Sequence, residues 1–91
     1  VKYGVKASVK NSLIADGCII EGTVENSVLF RGVKVGKDSV VRDCVLLQGA
    51  TIGKECGVTA VIAVRNATIT DGRVITGSPT YPIYIDKNGK L

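Results

Sequence analysis

From Val9 onward the chain returns to one arrangement of apolar and polar positions on a period far longer than a helical turn. In register it reads VKNSLIADGCIIEGT over 9–23, VENSVLFRGVKVGKDSV over 24–40, VRDCVLLQGATIGKECG over 41–57 and VTAVIAVRNATITDGRV over 58–74. The starts are Val9, Val24, Val41 and Val58, with Ile75 in phase to open another copy; the spacing is 15 residues once and 17 three times. Val9, Val24, Val41, Val58 and Ile75 form one aliphatic column. Ile14, Leu29, Leu46 and Ala63 form a second, and Ile20, Val35, Ile52 and Ile69 a third. An amphipathic helix would show a 3.6-residue period, which these glycine-punctuated, β-branched segments lack.

Two residues before many of these anchors stands a smaller side chain: Ser12, Ser27 and Cys44; Cys18, Val33, Ala50 and Ala67; Ser39 and Cys56. Residues two apart on a strand face the same side, so each short strand is expected to point one small and one large residue inward. A glycine column, Gly17, Gly32 and Gly49, continues as Asn66, the residue that best tolerates left-handed backbone angles after glycine. Gly36 and Gly53 mark a second corner. Three short strands and three corners per copy predict a triangular coil whose strands pair in parallel with those of the next coil, ~4.8 Å away. A coil of this kind cannot bury its inner face alone. Each buried Val, Ile or Leu contributes ~1.5–3 kcal/mol against an ordering cost of ~1–2 kcal/mol per residue. With about four coils that balance is thin, and the coil ends are expected to be covered.

The pattern stops at Thr76-Gly77-Ser78-Pro79. Arg73 falls where Ser39 and Cys56 point inward, which predicts that the regular coil is already ending there. Tyr81-Pro82-Ile83-Tyr84-Ile85 then alternates like a strand, and Asn88-Gly89 is a turn signal. A terminal strand or hairpin over the last coil would protect an open edge. The expected division is a lead-in over 1–8, a β-helix over 9–75 and a capping strand or tail over 76–91.

Composition fits a small all-β domain and excludes several functions. Ninety-one residues make at most one domain, and with four aromatic side chains its bulk comes from Val, Ile, Leu and Ala. No apolar run approaches the ~20 residues of a membrane span. The formal net charge of +4 is spread over separate positions, Lys6, Lys10, Arg31, Lys34, Lys37, Arg42, Lys54 and Arg65, with few aromatics to stack on bases. That describes a solvated face, not a nucleic-acid groove. Cys18, Cys44 and Cys56 have no CxxC spacing and the chain has no His, so they read as small buried side chains of a reduced, cytoplasmic protein. Asp16, Asp38, Asp43, Glu55 and Asp71 are expected at corners or outward positions, with Asp38 and Glu55 equivalent places one coil apart, not an acid–base pair. Gly32–Gly36 opens no helix and is no phosphate cradle. No catalytic, cofactor-binding or metal-ligating residue is assigned.

A near-constant coil built from hexapeptides resembles the single-stranded left-handed parallel β-helix of hexapeptide-repeat proteins; the handedness rests on that resemblance, since parallel crossovers are ordinarily right-handed. Acyltransferases of that class use a His as general base, and its carbonic anhydrases bind zinc through His; both readings are disfavoured here. A nucleophilic Cys without a His partner is disfavoured too.

Within that class, ENSVLFRGVKVGKDSVVRDCVLLQGATIGKEC resembles the C-terminal β-helix of bacterial glucose-1-phosphate adenylyltransferases (ADP-glucose pyrophosphorylases), which share N-S-V-L-F, then V-x-V-G, then V-x-[DN]-[SC]-V-[IL]-[LM]. Gly77 with Thr80–Ile85 is closer to one branch of that family, whose subunits lack some catalytic residues and act largely as regulatory partners in glycogen biosynthesis. The resemblance implies a parent with an N-terminal nucleotide-binding domain that makes ADP-glucose and pyrophosphate from ATP and glucose 1-phosphate with magnesium. The β-helix would then pack on that domain, contribute to homo- or hetero-oligomer contacts with the catalytic subunit, and help form an effector site. No nucleic-acid or membrane partner is implied. The family's catalytic residues lie in the other domain, so none carries over. Arg31 and Lys34 are read as solvent-facing, with an anionic effector the alternative. The competing readings are the β-helix of another sugar nucleotidyltransferase and, less favoured, a hexapeptide acyltransferase.

Overall fold

A computed structural model describes residues 2–4, 7–78, 80 and 83–85. Its strands are short and come in threes. The first three are β1 (Lys2–Tyr3), β2 (Ser8–Lys10) and β3 (Leu13–Ile14), followed by β4 (Ile19–Ile20), β5 (Thr23–Glu25) and β6 (Val28–Leu29). Next come β7 (Lys34–Val35), β8 (Val40–Arg42) and β9 (Val45–Leu46), then β10 (Thr51–Ile52), β11 (Gly57–Thr59) and β12 (Val61–Ala63). The last are β13 (Thr68–Ile69), β14 (Val74–Thr76) and β15 (Ile83–Ile85). Each strand pairs in parallel with the strand three places away, giving three five-stranded sheets: β1-β4-β7-β10-β13, β2-β5-β8-β11-β14 and β3-β6-β9-β12-β15. Four full turns therefore separate β1 from β13. The fold is all-β, a parallel β-helix of hexapeptide type with a terminal strand, as the repeat predicts. No helix in the described residues is long and apolar enough to cross a membrane.

The aliphatic columns are the sheet registers. Val9 pairs with Val24, Val24 with Val41, Val41 with Val58 and Val58 with Ile75. Ile14, Leu29, Leu46 and Ala63 follow one another in the third sheet, and Ile20, Val35, Ile52 and Ile69 in the first. Two residues outside the repeat extend these columns: Tyr3 pairs with Ile20, and Ile85, fully buried, pairs with Ala63. The small residues lie inside as well, with Cys18, Val33, Ala50 and Ala67 forming one buried stack. Columns of like side chains stack because a parallel register places equivalent residues opposite each other, and each interior side chain needs a neighbour above and below to be dry.

The corners stack as the strands do. Gly17, Gly32, Gly49 and Asn66 all have left-handed backbone, with φ of 78°, 69°, 76° and 60°. The N–H groups of Gly32, Gly49 and Asn66 donate to the carbonyls of Asp16, Arg31 and Gln48, each on the preceding coil. A second corner turns on Asp38, Glu55 and Gly72, and a third on Asn11, Asn26, Asp43 and Ala60, with the same backbone sign. Gly36 and Gly53 do sit beside the second corner, but for a different reason: a Cβ on Gly36 would lie 2.5 Å from the Gly53 carbonyl oxygen, and one on Gly53 2.8 Å from the Asp71 nitrogen. These are close approaches of successive coils.

The tail differs from expectation in one respect. The Arg73 carbonyl still accepts from Gly57 N–H at 2.9 Å, and β14 stays in register with β11. The coil is thus still regular at Arg73, because the ladder is made by backbone groups and continues where the inward side chain changes. β15 then lies parallel on β12, with Ile83 opposite Val61 and Ile85 opposite Ala63. Lys6, Pro79, Tyr81, Pro82 and the Asn88-Gly89 turn lie outside the described residues.

Candidate functional site

The candidate nucleophiles fall inside the coil. Cys18, Cys44 and Cys56 are free and buried. Cys44 follows Ser12 and Ser27 in one inward column, tied by a ladder of side-chain and backbone groups. Ser12 Oγ donates to the Lys10 carbonyl (2.8 Å) and accepts from Ser27 N–H (3.1 Å). Ser27 Oγ donates to the Glu25 carbonyl (2.8 Å) and accepts from Cys44 N–H (3.2 Å). The Cys44 thiol lies within reach of the carbonyls of Arg42 (3.0 Å) and Val58 (3.5 Å). Ser39 and Cys56 repeat the device: Ser39 Oγ donates to the Gly53 carbonyl (2.5 Å) and accepts from Cys56 N–H (3.0 Å). These hydroxyls and thiols satisfy corner backbone groups that the interior would otherwise leave unpaired, a structural duty. Burial pushes the Cys44 thiol from its ordinary 9.0 up to about 11, the reverse of nucleophile activation.

The charged groups stay apart. Arg31 is exposed at the corner that follows β6, and Lys34 is exposed on the first sheet. Asp38 and Glu55 occupy equivalent corner positions and are both exposed. Arg42 Nε stands 3.6 Å from Glu25 Oε1, a register pair on the second sheet's outer side, worth ~0–1 kcal/mol at such exposure. Asp71 Oδ1 accepts from Lys54 N–H at 2.8 Å and thereby holds a corner. Among the described residues no three His, Cys, Asp or Glu side chains form a group that would hold a metal ion.

The outer side of the third sheet is the distinctive surface. Leu13, Val28, Val45, Ile62 and Tyr84 pair successively across β3, β6, β9, β12 and β15, alternating with the inward column. All five are apolar or aromatic, and the terminal pair are widely open, Leu13 at 71% and Tyr84 at 62%. The residues following the inward anchors, Ala15, Phe30, Leu47 and Val64, make a second apolar row beside it, with Phe30 45% exposed. A shallow groove at the first two coils is lined by Leu13, Val28, Phe30 and Arg31. Exposed Asp16, Arg31, Gln48 and Arg65 rim this face on one edge. The other outer faces are mixed: Ile19, Lys34, Thr51 and Thr68 follow one another on the first sheet, and on the second Lys10, Glu25, Arg42, Thr59 and Thr76 stand beside Thr23, Val40, Gly57 and the exposed Val74. This face was not among the sequence expectations, although its signal is present in the chain: an apolar residue immediately before an inward anchor must point outward.

This geometry defines a class, a parallel β-helix of hexapeptide type. The chain matches the family described as GlmU-like, C-terminal hexapeptide over residues 2–80, and it belongs to that family. Among curated proteins it is 70% identical over 40 residues to the glycogen biosynthesis protein GlgD of Geobacillus stearothermophilus, covering 44% of this chain and 12% of that protein. It is 56% identical over 41 residues to GlgD of Bacillus subtilis, covering 45% and 12%. It is 58% identical over 40 residues to the glucose-1-phosphate adenylyltransferase of Clostridium beijerinckii, covering 44% and 10%. The chain thus matches only about a tenth of the length of these relatives, and it is a hexapeptide β-helix domain related to parts of much longer proteins.

Proposed function

We propose that this chain is the assembly and regulatory β-helix domain of a glucose-1-phosphate adenylyltransferase subunit of the GlgD type, acting in glycogen biosynthesis in the cytoplasm. The observation that supports this reading is the 70% identity with GlgD across 40 residues of this chain. Its parent carries an N-terminal nucleotidyltransferase domain where ATP, magnesium and glucose 1-phosphate meet. The β-helix holds that domain in a homo- or hetero-oligomer with the catalytic subunit, and it contributes no reacting group. The test is ADP-glucose synthesis by the full-length protein, alone and mixed with the catalytic subunit from the same cell. Silence alone, with an altered rate or effector response in the mixture, is the expected result. Robust activity alone would make the parent a true adenylyltransferase. No effect in either assay would remove the regulatory role and return the β-helix of another sugar nucleotidyltransferase to consideration.

A further inference from the structure

We draw no further inference here: the strongest candidate, the apolar outer face of the third sheet centred on Val28, Val45 and Ile62, restates the packing of the β-helix on the rest of its subunit that the family resemblance already implies.

Discussion

At the residue scale the interior is an alternation of large aliphatics with small groups that also work as hydrogen-bond partners, and Cys44 is the instructive case. Its position was readable in the sequence because it shares a column with Ser12 and Ser27; its role in satisfying corner backbone groups was not, because that depends on where the neighbouring carbonyls point. Burial favours the neutral thiol and raises its pKa to about 11. The folded state therefore keeps a proton that the unfolded state, near 9.0, has released, so the contribution is intact below pH 9 and is lost as pH rises toward 11. Two units correspond to about 2–3 kcal/mol, an order-of-magnitude figure. Urea unfolding at pH 8 and pH 10.5 should show a fall in stability, and the fall should be smaller in Cys44→Val, a residue the same column already holds at Val61. An equal fall in both proteins would assign the alkaline loss to other groups.

At the scale of the element, the corner decides how long a coil is. The strands' inward columns were legible because aliphatics repeat there almost without exception, and so was the Gly17, Gly32, Gly49, Asn66 corner. The corner at Asn11, Asn26, Asp43 and Ala60 was not, since no glycine marks it and its column runs from Asn and Asp, which tolerate left-handed backbone, into Ala60, which gives no such signal. Equally hidden was the reason for the single 15-residue spacing. Between β4 and β5 only Glu21 and Gly22 turn the corner, where Gly36–Ser39 make the same turn one coil on. The shortened chain cuts inward, and a Cβ on Gly22 would lie 2.3 Å from the Ser39 carbonyl oxygen and 2.9 Å from that of Gly36, rigid backbone in both cases. Gly17 makes a useful contrast: its φ is +78°, yet an added Cβ would meet nothing nearer than 3.6 Å. Gly17→Ala should therefore cost only the ~1–2 kcal/mol of left-handed backbone. Gly22→Ala should cost more, ~3 kcal/mol or above, because a coil must separate from its neighbour to admit the methyl group. Denaturant midpoints of the two variants check the order; the reverse order would mean that backbone sign, not coil contact, limits these corners.

At the scale of the whole molecule the fold is a one-dimensional stack, and this makes its phase more important than its length. The stack was legible from the period alone, whereas the apolar outer face was not, because its residues, Val28 beside Leu29 and Val45 beside Leu46, have the same aliphatic character as the inward anchors they adjoin. Both features follow from one rule: alternate residues take opposite sides, so a shift by one residue exchanges the core for the surface. Removing residues 41–57 joins Val40 to Val58 and keeps every later column in place, since Val41 and Val58 are register partners. What is lost is one coil, together with the Glu25–Arg42 pair. Such a protein should retain its β-sheet circular dichroism and unfold cooperatively in urea, with a lower midpoint and a smaller slope in proportion to the surface no longer buried. Removing 42–57 instead deletes one residue fewer and leaves Val58 one position late, so that Ala63, Ile69, Ile75 and Ile85 all turn toward solvent. At ~1.5–3 kcal/mol for each large side chain that leaves the core, the loss reaches the whole stability of a domain this size, and no cooperative transition should remain. If the two deletions instead gave equally folded proteins, local turn chemistry at the corners, and not the inward columns, would be what sets the register of this stack.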